Sequence, residues 1–419
     1  MREKWLQRYR ESAGLGRKKA EVLLGFNANI DRIVSLENSE LKIEDVRPRK
    51  HERVSTITEM KQELRDCVES GESREVDVEG INISGGETRA GGQPAIMANY
   101  LASLEDKPIF YTPELSEVLA GEIKSGVKVP SAEGEQLELL DVEEAADSDR
   151  TKENLIVEYE EGTGGRVIFS SSLRGFGPYF DSELEPHLEE LDDEVDCCVL
   201  SGFHDAEGNV EARLEKSRKQ LQSMESPIHL EYVHRNRYYA EKIFEEIVSE
   251  VDSLGLDEGE GRALADSLDI VDEITEFNLG EAFKLAKEMI HRYRLERVHI
   301  HTTDYHLCAT ERDYLAPEKI RRAMLYGDLC GFRACSSGQI SGQEDLEAGI
   351  SRSSIQGLEE LNDFGDYFGI EEFAAEGIAR LKGLNVVAIP PLIDESPERM
   401  VGIGDIISCG AFTGEAKLR

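Results

Sequence analysis

The sequence predicts an α/β protein: a large domain with a central, mostly parallel sheet covered by helices, joined to a smaller β-rich lid. The first observation is the rhythm after Val195. Short apolar runs at Cys197–Leu200, Ile228–Leu230, Val251–Leu254, Val298–His301 and Val386–Ile389 alternate with long helical patterns, as strand–helix–strand units of a covered parallel sheet do. The second is the contrast at about 32–88 and 121–172, where apolar runs are shorter and acidic loops separate them. The third is length, since 419 residues exceed one ordinary core and suit one large α/β domain with a smaller partner. These patterns assign residues 1–31, 89–120 and 190–419 to the large domain, and 32–88 and 121–189 to the lid.

In chain order, residues 1–20 read as an amphipathic helix, and Val22–Phe26 as a buried strand ending at Asn27-Ala28-Asn29-Ile30-Asp31. Short polar side chains just past a buried parallel strand stand where α/β sheets place ligand contacts, although a solvated turn is the commoner meaning of Asn and Asp clusters. A polar helix follows around Thr56–Glu69. Gly91 and Gly92 then open a helix of small residues, Gln93 to Ala102, which either cradles the oxygens of a ligand or packs closely on the sheet. Ile109–Tyr111 is the next core strand. Val127–Val129, Leu155–Tyr159 and Val167–Phe169 read as strands of the small sheet, and Asp147–Lys152 as a polar loop. Asn278 caps an ordinary helix.

Charge narrows the function classes. With 86 acidic against 48 basic residues the formal net charge is −38, which disfavours nucleic acid and anionic membrane surfaces as partners. The acids are spread along the chain, and Arg outnumbers Lys. Such a surface suits a halophilic protein, because at molar salt the Debye length falls to about 3 Å and self-repulsion becomes tolerable. The seven cysteines are scattered without Cys-x-x-Cys spacing and read as reduced core residues. Met1 to Lys19 is charged throughout, and no apolar run reaches the roughly 18 residues of a membrane span, so a cytoplasmic protein is expected.

The chemistry centres on Val401-Gly402-Ile403-Gly404-Asp405, between a buried strand stopped by Pro390-Pro391 and an apolar helix start. A Gly-x-Gly-Asp turn opening a helix leaves amide N–H groups unpaired and lets a phosphate approach closely, which makes an anion hole. Asp405 would repel that ligand unless it takes a proton from an attacking hydroxyl or holds a metal. The other reading is a strand-to-helix turn in which Asp405 caps the helix. Other polar groups also sit at or beyond strand ends: Ser201-Gly202-Phe203-His204, the same-face pair His229 and Glu231, the acids Asp257, Glu258 and Glu260, and His301-Thr302. Carboxylates from these could hold Mg²⁺ through waters beside nucleotide phosphates. A metal site made from His301 and His306 is disfavoured, because their spacing fits neither a helical face nor a strand face.

Taken in order, Gly25-Phe26-Asn27-Ala28-Asn29-Ile30-Asp31, Gly91 to Asn99, Ser201-Gly202-Phe203, His229-Leu230-Glu231, Asp252 to Glu260, His301-Thr302 and Val401 to Asp405 span nearly the whole chain. Together they resemble the archaeal ADP-dependent sugar kinases, the phosphofructokinase and glucokinase family with a ribokinase-like core. The resemblance implies that ADP is the phosphoryl donor and AMP the product, and that a lid closes over a sugar or sugar phosphate. It implies Asp405 as catalytic base, and Gly402 and Gly404 as part of the hole for the transferring phosphoryl group. Val401, Ile403, His301 and Thr302 would line the nucleotide, and Glu231, Glu260 and Asp405 would organise Mg²⁺. Asn29, Asp31, Glu87, Gly92 and Gln93 would contact the sugar. At position 257 the family pattern has Asn where this chain has Asp257.

For the acceptor, the resemblance makes an acid at Glu87 a glucose-contacting feature, whereas fructose 6-phosphate needs cations. Arg166, Arg174, Arg235 and Arg237 could supply them, or could be surface ion-pair partners. The expected activity is phosphofructokinase, possible also with glucose, with glucokinase as the alternative and a non-catalytic nucleotide-binding protein of the same fold as the third reading. A monomer or small homo-oligomer is expected.

Overall fold

The computed structural model describes all residues except 38, 40, 81–84, 135, 160–164, 272, 273, 275, 338–341, 351–353 and 395–400. Its large sheet runs, edge to edge, through Ile378–Leu381, Leu384–Ile389, His306–Thr310, Arg297–His301, Ser253–Asp257, Ile228–Glu231, Cys197–Leu200, Glu21–Gly25, Lys107–Phe110, Lys128–Glu133 and Gln136–Asp141. The strands from Arg297–His301 to Lys128–Glu133 are parallel neighbours, and antiparallel strands close both edges. Parallel strands covered on both faces must be apolar on both, and Val22, Leu23, Leu24, Cys198, Val199 and Leu200 are all buried.

The second sheet orders Arg53–Val54, Arg74–Val78, Gly165–Ser171, Glu153–Tyr159, Asn29–Ser35 and Glu87–Gly91. Its alternation gives it two unlike faces. Val76, Leu155, Val157, Val167 and Phe169 join Met60 and Leu64 of helix Ile57–Ser70 in a small separate core. That helix starts at a capping box in which Thr56 and Glu59 satisfy each other's backbone N–H groups. The opposite face is polar: Asp31 pairs in register with Arg89, and Asn154 with Ser170.

This arrangement revises the sequence-based boundaries. The Val127–Val129 run expected in the lid enters the large sheet as strand Lys128–Glu133, with Val127 and Val129 in the large core, because a hairpin with Gln136–Asp141 completes that sheet's edge. Phe176, Phe180, Leu184 and Leu188, also placed in the lid range, pack in the large core. Strands Asn29–Ser35 and Glu87–Gly91 straddle the expected boundaries at 31 and 88 and belong to the small sheet. The strand read at Val251–Leu254 runs from Ser253 to Asp257.

The C-terminal helix Ile403–Ala416 lies against helix Pro317–Ser337 through small residues. A Cβ on Gly327 would stand 2.5 Å from the Ala411 nitrogen, so only glycine permits this approach. Two buried ion pairs fix the far end of the helix: Arg297 Nε donates to Glu415 Oε1 at 2.9 Å, and Lys417 Nζ to Asp106 Oδ2 at 2.8 Å. Among the described residues no helix is long and apolar enough to cross a membrane.

Candidate active site

Asp405 lies in the first turn of the C-terminal helix, whose N-cap is Gly402 at φ 73° and ψ 15°. This left-handed conformation suits glycine, which has no side chain with which to cap the turn, and the first amide N–H groups stand at the positive end of the helix dipole. Gln93 Nε2 donates to Asp405 Oδ1 at 3.0 Å, tying the carboxylate to the start of helix Gln93–Ser103. Gln93 Oε1 is buried without a hydrogen-bond partner among the described residues. Gly404 has the imidazole of His301 against it, and Ile403 packs beside Gly331.

Behind this turn runs a buried polar chain whose proton polarity can be assigned. Arg297 has no lone pair, so its Nη1 donates to Ser253 Oγ at 2.9 Å. The Glu231 carboxylate can only accept, so neutral His229 carries its proton on Nε2, 3.0 Å from Glu231 Oε2, and its Nδ1 accepts from the Ser253 hydroxyl at 2.8 Å. Ser408 Oγ, one turn beyond Asp405, sits 2.9 Å from the same Nε2. The other Glu231 oxygen is 3.3 Å from His301 Nε2. Burial opposes ionisation of Glu231, but the hydrogen bonds of His229 and His301 and the charge on His301 outweigh it and pull the carboxyl down to about 2. Burial keeps His229 below the usual imidazole range, in keeping with a neutral donor. Gly255 makes room for the chain, because a Cβ there would overlap Glu231 and lie 2.7 Å from His229 Nε2 and 2.8 Å from Ser408 Oγ.

Asp257 is the N-cap of helix Glu258–Ser267 and forms a capping box with Glu260: its carboxylate accepts from the Glu260 amide at 2.7 Å, and Glu260 Oε2 from the Asp257 amide at 2.8 Å. An Asn side chain could accept the same bond, so Asp257 leaves this structural role intact. Burial pushes the Glu260 carboxyl well up, with repulsion from Asp257, Glu231 and Asp405 adding to it. Converging carboxylates of this kind fit a divalent cation. Among the described residues, however, no group of three His, Cys, Asp or Glu side chains is placed to ligate one directly, and both Glu231 oxygens are engaged. The donor set therefore fits a cation held through water.

Between the sheets opens a cleft of about 620 Å³, lined by Asn27 and Ala28 from the large-domain side and Ser170 and Ser171 from the small sheet. Lys152 and Arg235 also line it. Gly92, at φ 78°, packs its backbone 2.7–2.8 Å from Asn27 and Ala28, counted from where a Cβ would sit, and so joins the cleft to Gln93 and Asp405. Gly91 leaves space for the side chains of Asn29 and Asp31. Asn29 Nδ2 donates to Asp31 Oδ1 at 2.6 Å, and burial raises the Asp31 carboxyl against the pull of Asn29, Arg89 and Asn154. A larger cleft of about 1120 Å³ lies beside Arg262, Asp266 and Lys284 and shares no lining residue with this one.

Other sequence candidates are placed less uniformly. Arg235 reaches the cleft, where it stacks on Tyr239 at 4.8 Å and stands 3.8 Å from Asp77. Arg166 stands on the polar face of the small sheet, opposite Glu158 and within the electrostatic reach of Arg89 and Asp31, but does not line the cleft. Arg174 does not reach it either: its side chain is 90% exposed, 3.9 Å from Glu79. Arg237 is a surface residue paired with Glu241 and Asp269. Glu87 is exposed at the start of its strand, on the same face as Arg89. Thr302 uses its side chain to hold the turn to Tyr305, bonding the Tyr305 carbonyl at 2.8 Å, and Val401 immediately precedes the helix cap. That turn sets His301 directly opposite His306, which single-element spacing could not foresee; the rings nonetheless go to different acids, Glu231 and Asp328.

Lys152, Asp205, Ser408 and Arg297 were missed. Lys152 ends a polar loop and Asp205 a short 3₁₀ turn, and only the packing of the two sheets brings them together at 2.8 Å. Arg297 within an apolar strand was a legible signal, since a fully buried guanidinium demands a partner.

The ADP-specific Phosphofructokinase/Glucokinase conserved region matches residues 20–414. An ADP-specific phosphofructokinase of Pyrococcus abyssi is 29% identical over 355 residues, 77% of each chain. An ADP-dependent glucose/glucosamine kinase of Pyrococcus furiosus is 27% identical over 439 residues, 94% of each. Among solved structures, an ADP-dependent kinase in complex with fructose-6-phosphate and ADPbetaS superposes with a TM-score of 0.85 at 25% identity, covering 99% of this chain and 98% of that one. The chain belongs to the ADP-specific phosphofructokinase/glucokinase family, and is a phosphotransferase with its ribokinase-like α/β fold.

Proposed function

We propose that the protein transfers the terminal phosphoryl group of ADP to fructose 6-phosphate, giving fructose 1,6-bisphosphate and AMP. The observation that carries this reading is Asp405, held by Gln93 in a helix turn opened by Gly402, next to a cleft whose lining includes Lys152 and Arg235. Asp405 would take the proton of the attacking hydroxyl, and the amides of residues 402–405 would stabilise charge on the transferring group. His301, Thr302, Val401 and Ile403 would flank the donor. Asn29, Asp31, Gly92 and Gln93 would orient the acceptor. Glu231, Glu260 and Asp405 would hold Mg²⁺, with waters between it and the two glutamates; such an ion neutralises phosphate charge. Small-sheet closure over the cleft would exclude water and limit hydrolysis of ADP.

A second acceptor, glucose, is favoured by the acids in the cleft lining, among them Glu52, Glu75 and Asp77, and by Glu87 on the same small sheet. A neutral hexose carries no charge for them to repel.

We infer further that the protein works in a cytoplasm of high salt, on the strength of its −38 net charge. The test is an initial-rate assay with ADP and Mg²⁺ in molar KCl, with fructose 6-phosphate or glucose as acceptor, repeated in dilute buffer and with Asp405→Asn. AMP release with fructose 6-phosphate, reduced about 10²–10⁴-fold by Asp405→Asn, is expected. Near-normal turnover of the variant would remove Asp405 as the base, and full activity in dilute buffer would remove the salt requirement.

A further inference from the structure

The cations of the cleft already have anionic neighbours. Lys152 Nζ is 2.8 Å from Asp205 Oδ2, with both side chains largely withdrawn from solvent, at 12% and 19% exposure. His204 Nε2 lies 3.8 Å from the same oxygen. Arg235 donates to the His204 carbonyl at 3.1 Å and stands 3.8 Å from Asp77. Five lining residues are acids, Glu52, Glu75, Asp77, Asp205 and Glu207, against the permanent cations Lys152 and Arg235. Of the five, Asp205 is the one in contact with the buried ammonium.

The two partners come from opposite sides of the cleft. Lys152 directly precedes strand Glu153–Tyr159 of the small sheet, and its carbonyl accepts from the Ile30 amide at 2.8 Å. Asp205 ends the 3₁₀ turn that follows strand Cys197–Leu200 of the large sheet. A sugar phosphate entering between the sheets meets an ammonium that a carboxylate has already taken. Its dianion must either displace Asp205 or sit beside it, and like charges brought together in a partly buried cleft are costly. A neutral hexose faces no such competition.

We propose that Asp205 is a specificity-determining residue: by competing for Lys152 it weakens the cleft's hold on the phosphate of a sugar phosphate and levels the preference between phosphorylated and neutral hexoses. The inference rests on the reading of this cleft as the acceptor site. Lys152, His204 and Arg235 together hold the Asp205 carboxyl well below the usual carboxylate range despite its burial, so it stays anionic wherever the kinase works.

The experiment compares Asp205→Asn, Asp205→Ser and Lys152→Ala with the unmodified protein, using fructose 6-phosphate and glucose as acceptors and the KM for ADP as internal reference. Removing the Asp205 charge is expected to lower the KM for fructose 6-phosphate about tenfold, with the KM for ADP moving less than about twofold. The ratio of kcat/KM for the sugar phosphate over glucose rises accordingly. If both Asp205 variants leave the fructose 6-phosphate KM unchanged while Lys152→Ala raises it, the inference falls and the acceptor-site reading stands. If Lys152→Ala has no effect on that KM, the acceptor-site reading fails and takes the inference with it. If the Asp205 variants raise the KM for both sugars and for ADP together, the pair is only a closing contact between the sheets, and the inference is overturned. Should Asp205→Asn not fold, Asp205→Ser and thermal protection by fructose 6-phosphate give the same readout.

Discussion

The imidazole of His301 rests on the backbone of Gly404: its Cε1 is 2.6 Å from where a Cβ at that position would lie. The same ring is hydrogen-bonded through Nε2 to Glu231 at 3.3 Å. The turn beside Asp405 and the carboxylate assigned to the metal side are therefore spaced by a single side chain.

Gly404→Ala tests that spacing. The added methyl must push His301 away from Glu231 or tilt the helix start, and either moves groups that have to be placed within a fraction of an ångström. The expected result is a drop in kcat of about 10–100-fold with a nearly unchanged melting temperature. Wild-type kcat with alanine would mean that the ring moves freely and spaces nothing.

Glu415 and Arg297 offer a stability test away from the cleft. Both are fully buried, and Glu415 also accepts from the Tyr314 hydroxyl at 2.7 Å. Glu415→Gln leaves the Arg297 charge uncompensated, at an expected cost of about 3–5 kcal/mol, read by thermal or denaturant unfolding. Because Arg297 orients Ser253, and through it His229, kcat is expected to fall in the fraction that remains folded. A loss below about 1 kcal/mol would show that water already compensates the guanidinium.

The pair Lys152 and Asp205 has a signed pH signature. Asp205 is depressed on folding, so its contribution is present above its unfolded value of about 3.9 and is lost as pH falls through the lower folded value. Lys152 is raised by Asp205 in spite of burial, so its contribution is present below about 10.4 and lost as pH climbs past that. The melting-temperature gap between wild type and Asp205→Asn is thus expected to hold steady from about pH 5 to 9 and to shrink below about pH 4. A gap independent of pH down to pH 2 would mean that the pair does not form in solution.

Some features were legible because their signals are local. Asn278 caps its helix through a side chain three residues from its target, and the glycine turn at Gly402 opens the last helix. Strand–helix alternation gave the covered parallel sheet, and His229 and Glu231 share a face because strand side chains alternate. The extent of the lid was less legible. The hairpin of Lys128–Glu133 and Gln136–Asp141 has the same short, acidic pattern as a lid strand, and nothing in that pattern says that it joins strand Lys107–Phe110 at the large sheet's edge rather than the small sheet.

By itself the sequence determined the fold class, the glycine turn at Gly402–Asp405 that opens the last helix and the order of strand-end polar groups, since these follow from backbone conformation and side-chain period within a few residues. Only the tertiary structure decided which charges meet. Lys152 faces Asp205 across 53 residues and Arg297 faces Glu415 across 118, while Arg174 remains in solvent. Burial strengthens an ion pair and penalises an unpaired charge, and burial is a property of the packed sheets and helices rather than of any local stretch.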